Sequence, residues 1–168
     1  TSADICRQVY NTYRDQILDM LSNDQLNWID LDLSKMDTNC LTKYFNRRTI
    51  RSLELFQVPE GSSTGIKSTS NKLTYCYLMV PILGVNHLTV SWFRAKGAGY
   101  LVNNELVFDK DHCLEIEQVE LKDVNLIKTY SPYEIKNPNP YKSIVLAVKL
   151  DPEPIELFDE GIFATLVK

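Results

Sequence analysis

The chain has 168 residues, 44% of them hydrophobic and 24% charged, the balance of a globular protein rather than a disordered one. That length fits one domain, residues 1–168, able to bury about 70% of its unfolded surface. Its net charge of −4 is uneven: residues 1–100 carry 11 Lys+Arg against 9 Asp+Glu, and residues 101–168 carry 7 against 13. A surface polarised in this way suits a protein partner and lacks the broad basic face that wraps nucleic acid.

From the N-terminus, Thr1-Ser2-Ala3-Asp4 has neither the basic start nor the apolar run of a signal peptide. Ser2 or Asp4 can cap an amphipathic helix over 3–21, with Ile5, Val9, Tyr13, Ile17 and Leu21 at i, i+4 spacing. Ser22-Asn23-Asp24 ends it by offering side-chain hydrogen bonds to the backbone. A β-rich body over 27–167 follows. Ile29, Leu31 and Leu33 alternate with Asp30 and Asp32, a half-buried strand with a wet acidic face. Thr38 to Arg48 reads as a second short helix, and Ile50 to Val58 as a strand. Glu60 to Asn71 has little to bury and is expected to be an exposed loop.

The stretch from Leu73 to Phe108 is the densest in β-formers. Leu73–Leu83 and His87–Phe93 read as strands around Gly84-Val85-Asn86. Tyr100–Val102 and Glu105–Phe108 flank Asn103-Asn104, a pair that tolerates the positive φ of a tight hairpin turn. Tyr75–Leu83 is the longest apolar run; it is far short of the ~18 residues of a membrane span and contains Pro81. Cys113–Leu121 is a strand whose inward face needs a bulge near Gln118 to stay in phase. Val124–Thr129 is another strand. Ser131–Tyr141, with three prolines, is expected to be a loop without ladder hydrogen bonds. Ser143–Leu150 and Ile162–Val167 complete a mostly β (α+β) chain. About nine or ten short strands in an antiparallel sandwich or barrel, with the N-terminal helix packed on it, are expected. Cysteines 6, 40, 76 and 113 follow no CxxC spacing, so they read as buried free thiols rather than as two disulfides or a zinc site.

Several short patterns carry possible chemistry. Asp109-Lys110-Asp111 followed by Glu120-Leu121-Lys122 resembles the metal-dependent PD-(D/E)xK nucleases. That resemblance implies Mg²⁺ held by Asp109 or Asp111 with Glu120, and a water positioned by Lys122. The nucleases place a helix after this hairpin, where Val124–Thr129 reads as strand. His87-Leu88-Thr89 resembles the HxT element of the two-histidine phosphoesterases, which implies acid–base work by His87 and a phosphate contact from Thr89. The only other histidine gives His112-Cys113-Leu114, without the hydroxyl. Adjacent His112 and Cys113 would point to opposite faces of a strand.

Lys43, Arg47, Arg48 and Arg51, interleaved with Tyr44 and Phe45, form the one basic cluster suited to phosphates and stacked bases. Gly97-Ala98-Gly99-Tyr100 is similar to the turn-and-strand units of phage baseplate and other virion β-domains. With no coherent catalytic set, the expected function is a non-enzymatic protein–protein interaction or assembly module without a cofactor, in its most natural form a viral or phage structural component. Its partner would be another protein or a second copy. The chain is expected to be soluble, cytoplasmic or virion-associated, with no membrane contact. The alternatives are a small phosphodiesterase, with Mg²⁺ needed only on the nuclease route, and a nucleic-acid-binding module.

Overall fold

A computed structural model describes residues 2–23, 27–42, 50–69, 76–84, 87–103, 105–121, 124–151 and 163–165. The helical stripe forms as its spacing requires, with Ile5, Val9, Tyr13 and Ile17 all fully buried. The single helix expected over 3–21 is, however, two: α1 (Ser2–Thr12) and α2 (Arg14–Leu21). Tyr13 breaks it, with φ −119° and ψ 31°, and its hydroxyl donates to the Asp32 carbonyl oxygen at 2.7 Å. Hydrogen bonds from Tyr13 N to Val9 O and from Ile17 N to Tyr13 O cross the break, so the buried stripe keeps its phase. Leu21, the last expected member of the stripe, is exposed. A further helix, α3 (Asn39–Thr42), starts where Asp37 accepts from the Asn39 amide. The rest of the helix expected to Arg48 lies outside the described residues.

The strands in chain order are β1 (Asn27–Leu31), β2 (Ile50–Val58), β3 (Ile66–Thr69), β4 (Cys76–Leu83), β5 (Thr89–Ala95), β6 (Tyr100–Val102), β7 (Glu105–Phe108), β8 (Cys113–Glu120), β9 (Asn125–Lys128), β10 (Tyr133–Lys136), β11 (Ser143–Leu150) and β12 (Phe163–Thr165). They form two antiparallel six-stranded sheets, β1-β2-β11-β4-β9-β12 and β6-β7-β3-β10-β5-β8. The central orders, β2-β11-β4-β9 facing β3-β10-β5-β8, arise because the chain crosses between sheets at every connection among these eight strands except the one from β5 to β8. That is the topology of an eight-stranded jelly roll. β1 and β12 widen the first sheet, and the β6–β7 hairpin widens the second beside β3. The mostly β sandwich with an N-terminal helical element is therefore as expected.

Two of the twelve strands among the described residues were not expected. β3 lies in the stretch read as an exposed loop, and β10 lies in the proline-rich stretch read as lacking ladder bonds. They pair with each other, Tyr133 opposite Lys67, and β10 also pairs with β5 over four residues. The prolines flank β10 without interrupting it, so its amides remain free to donate. The expected bulge is present. The register of β8 against β5 slips between Trp92 and Phe93, which leaves Ile116 as the extra residue, two positions before Gln118.

The first sheet is covered on both faces. Leu53, Leu55, Leu78, Val80 and Leu146 pack with the buried side of α1 and α2. Phe56, Val58, Met79 and Val145 face Val90, Trp92, Tyr133 and Ile135 of the second sheet. Two polar side chains hold the periphery. Lys142 donates to the carbonyl oxygens of Leu21 at 2.7 Å and Asn23 at 2.9 Å, which caps the C-terminal end of α2 and ties it to the start of β11. Asn137, almost fully buried, donates to the carbonyl oxygens of Val58 and Tyr141 and accepts from the Asn139 amide. Those bonds fix the Pro138–Pro140 stretch against the end of β2. All four cysteines are free thiols. Among the described residues, no helix is long and apolar enough to cross a membrane.

Gly84, after β4, has φ +62°, and a Cβ there would overlap the Lys142 carbonyl oxygen. Gly84→Ala is therefore expected to cost at least about 2 kcal/mol, from left-handed strain plus overpacking against backbone. Gly97, where a Cβ would meet nothing, serves as the control, and Gly97→Ala should change stability by less than about 0.5 kcal/mol. Urea unfolding of both variants measures the difference; equal midpoints would mean that the Gly84 turn is not held as described.

Candidate functional site

Pairing of β1 with β2 sets Trp28 opposite Phe56 and Asp30 opposite Glu54. With the strand period of two, these four side chains share one face, the face turned to the second sheet. Phe56 is covered there, but Glu54, two residues earlier, lies where β3 and β11 finish and β4, β7 and β10 begin. A cavity of about 490 Å³ opens at this end of the sandwich. The first sheet lines it with Trp28, Asp30, Glu54 and Tyr77. The second adds Lys67 and Thr69 from β3, Tyr133 from β10, and Asn103 and Glu105 from the β6–β7 hairpin.

Its aromatic part is ordered by stacking. The Trp28 ring lies on Phe56 with centroids 4.2 Å apart and planes 13° apart, and it meets Tyr77 at 6.2 Å, tilted by 54°. The Lys67 ammonium sits 4.5 Å from the Trp28 centroid and 6.0 Å from that of Tyr133. It also pairs with Glu105 at 3.2 Å. Since Phe56 takes one face of Trp28, the lysine takes the other. A cation is thus held by a ring quadrupole and a carboxylate together.

The polar part is less evenly balanced. Burial pushes the Glu54 carboxyl up from the ordinary range, and the neighbouring Asp30 carboxylate adds to the effect. Lys149 and hydrogen bonding from Tyr77 and Ser52 oppose it without cancelling it. Thr69 is only 4% exposed, and its hydroxyl has no hydrogen-bond partner among the described residues.

The residues singled out from sequence fall elsewhere. Asp109 and Asp111 lie at the start of β8, where the Asp109 carboxylate accepts from the Asp111 amide and caps a 3₁₀ turn. Glu120 is the last residue of β8. Seven strand steps separate the two ends, more than about 20 Å, so one metal ion cannot take Asp111 and Glu120 together. Among the described residues, no three His, Cys, Asp or Glu side chains gather as a metal site would need. Lys122 lies outside the described residues.

His87 and Thr89 do meet Glu120. Thr89 is its register partner, and His87 Nδ1 is 3.5 Å from the Glu120 carboxylate. Their side chains are open to water, His87 at 71% and Glu120 at 40% exposed. Cys113, His112 and Asp109 line a second cavity of about 250 Å³ with Tyr100 and Phe108. Burial, with the Asp109 charge behind it, pushes the Cys113 thiol up, the reverse of what a thiolate nucleophile needs. Cys76 is buried on the helix-covered side of β4, away from either end of β8. Arg51 is exposed and donates to the Asp151 carbonyl oxygen, while Lys43, Arg47 and Arg48 lie outside the described residues.

No residue lining the larger cavity was singled out from sequence as a site residue. Asp30, read as part of a wet acidic face, is exposed as expected, and it also lines the cavity. One signal was present: Glu54 interrupts the apolar run Leu53 to Val58 at a position that period two assigns to the same face as Phe56.

No protein family and no curated protein matches the sequence. Solved structures similar to this chain include a predicted oxalate decarboxylase from Thermotoga maritima, 14% identical with a TM-score of 0.38, over 74% of this chain and 79% of that one. Peruvianin-I, a cysteine peptidase from Thevetia peruviana latex, is 12% identical with a TM-score of 0.41, over 80% of this chain and 66% of its own. A recombinant oxalate oxidase in complex with glycolate is 12% identical with a TM-score of 0.39, and the match spans 82% of this chain and 59% of the oxidase. Likeness of that order carries over neither a site nor an activity.

The state of Glu54 is open to direct measurement. It holds its proton more readily in the folded chain than in the unfolded one, so stability is greatest where it is protonated. Stability is lost as pH rises from the ordinary carboxylate range through the raised folded value. Glu54→Gln keeps the shape without the charge. At pH 7 it should unfold roughly 2–4 °C above the parent. The gap should close below about pH 4, where the carboxyl is neutral in both states. Calorimetry at both pH values checks it, and a variant less stable than the parent at pH 7 would overturn this account of Glu54.

Proposed function

We propose that this chain is a non-enzymatic binding module whose recognition site is the cavity at the end of the sandwich. The observation that carries the reading is unused polar capacity in an aromatic setting. A buried Thr69 hydroxyl without a partner among the described residues and a Glu54 carboxyl with an imperfect one lie beside three aromatic rings, in a volume that suits a small ligand. Jelly rolls serve capsid proteins, lectins and cupins alike, so the fold by itself chooses no role. Binding is favoured over phosphodiester chemistry because the acidic candidates for that chemistry are divided between the two ends of β8.

The test is thermal unfolding against a panel of small polar molecules. A ligand that occupies the cavity at 100 times its Kd adds about 2.7 kcal/mol. Thr69→Val is nearly isosteric and removes only the unpartnered hydroxyl, so the variant should be at least as stable as the parent while such ligands bind it more weakly. Ligands that stabilise the parent and Thr69→Val equally would place their site elsewhere and end this reading.

A second reading, assembly through protein contacts, is favoured by the margins of the second sheet. Strand β8 has β5 as its only strand neighbour among the described residues, and it exposes Leu114 at 56% and Ile116 at 52%. On the opposite margin β6 exposes Leu101 at 66%. A long apolar edge strand is a template for pairing with another chain. Light scattering over rising concentration should then show association that Ile116→Lys abolishes. A parent that stays monomeric throughout, and captures no partner that Ile116→Lys loses, would remove this reading.

A further inference from the structure

Resting on the cavity as the recognition site, we propose that its ligand is a small organic cation whose ammonium group takes the aromatic cage now filled by the Lys67 ammonium. The cage already demonstrates the chemistry. Trp28 and Tyr133 flank a point where this chain holds a cation, 4.5 Å from the Trp28 centroid, 6.0 Å from that of Tyr133 and 3.2 Å from a Glu105 oxygen. Burying an ammonium is costly unless its charge is compensated, and here a ring face and a carboxylate compensate it.

Charge selects the class. Asp30, Glu54 and Glu105 line the cavity against Lys67 alone, with Lys149 reaching Glu54 from β11. An anion would meet three carboxylates. A divalent metal would need clustered oxygens, and the acidic side chains here do not gather in that way. A neutral sugar could stack on Trp28 only by evicting Lys67, because Phe56 holds the other ring face, and it would leave Glu105 without its cation. An ammonium ligand replaces the lysine in both roles. Its polar remainder can meet the Thr69 hydroxyl, and its charge offsets the repulsion that Asp30 and Glu54 exert on each other.

Lys67 is then a tethered competitor. It is anchored to Glu105, a residue of the β6–β7 hairpin with a half-exposed side chain, and it can swing toward solvent with that partner. The apparent affinity of the parent is reduced by the fraction of molecules in which Lys67 occupies the cage. Removing the competitor should strengthen binding, and exchanging it for another cation should not.

The experiment follows the Trp28 indole N–H by NMR in the full chain, titrated with tetramethylammonium, D-glucose and succinate, with sodium chloride at matched ionic strength as control. Tetramethylammonium should shift the Trp28 signal in the parent, at least tenfold more tightly in Lys67→Ala, and no more tightly in Lys67→Arg. Glucose and succinate should leave it unmoved. If Lys67→Ala does not fold, Lys67→Thr tests the same competitor, since it keeps a strand-forming residue without the ammonium, and it too should bind tetramethylammonium at least tenfold more tightly than the parent. A response to glucose but not to tetramethylammonium would overturn the cation and leave the cavity as the site. No response to any of the three, in parent or variant, would overturn the cation as well; the cavity reading would then rest on the panel and Thr69→Val.

Discussion

The structure turns on the burial of one sheet from two sides. Strands β2, β4, β9 and β11 must offer apolar side chains both to the helices and to the second sheet, and this explains the nearly unbroken hydrophobic run of β11, Ile144 to Val148. Each of its residues is inward with respect to something. A polar residue on such a strand is costly unless it lies where one of the two covers ends. On β2 that happens within one pleat: Phe56 is sealed between the sheets, while Glu54 reaches the cavity. The position of the site thus follows from where the second sheet stops covering the first.

The same constraint explains the fittings that hold the helices in place. A sheet covered by short helices is exposed to water if they lift, and α1 and α2, of 11 and 8 residues, have little intrinsic stability. Tyr13 answers this at the joint between them, where its ring fills the apolar layer and its hydroxyl reaches the Asp32 carbonyl. Lys142 does so at the far end, where its ammonium meets the Met20 and Leu21 carbonyl oxygens at the close of α2. Both contacts are charge- or hydroxyl-to-carbonyl bonds, and each is worth on the order of 1–2 kcal/mol. The Lys142 contact also joins the start of the chain to a segment far along it, so the helical cover and the jelly roll hold each other.

Most of the fold was legible because these strands advertise themselves through β-branched and aromatic residues. β2, β6, β7 and β11 have the bounds that the sequence suggests, and Asn103 has the positive φ expected of its turn. β3 and β10 were hidden for different reasons. Ile66-Lys67-Ser68-Thr69 shows almost no apolar alternation, because its inner face is the polar wall of the cavity. Tyr133 to Lys136 is masked by the prolines on either side, and its outer residue Glu134 is buried, accepting from the Ser63 hydroxyl and pairing with Lys136. A period-two reading finds strands by the contrast between an apolar and a polar face. It fails for β3, where both faces carry polar groups that the fold has reason to bury, and β10 was missed because flanking prolines argue against a strand.

The site stayed hidden for the complementary reason. Its residues come from six strands of two sheets and a hairpin turn, so no local spacing relates Trp28 to Lys67 or Glu54 to Glu105. Short motifs drew attention to β8 instead, and an extended strand is a poor place for a compact constellation: each residue moves a ligand about 3.3 Å further from its partner. Convergence in a jelly roll happens across strands, at the ends of the sandwich, where side chains from both sheets face one another and neither sheet fills the space. Lys67 makes the point. On sequence it is one cation in a loop-like stretch rich in Ser and Gly; in the fold it is the only ammonium among three carboxylates and three aromatic rings of one cavity lining, and it occupies the position that gives that cavity its chemistry.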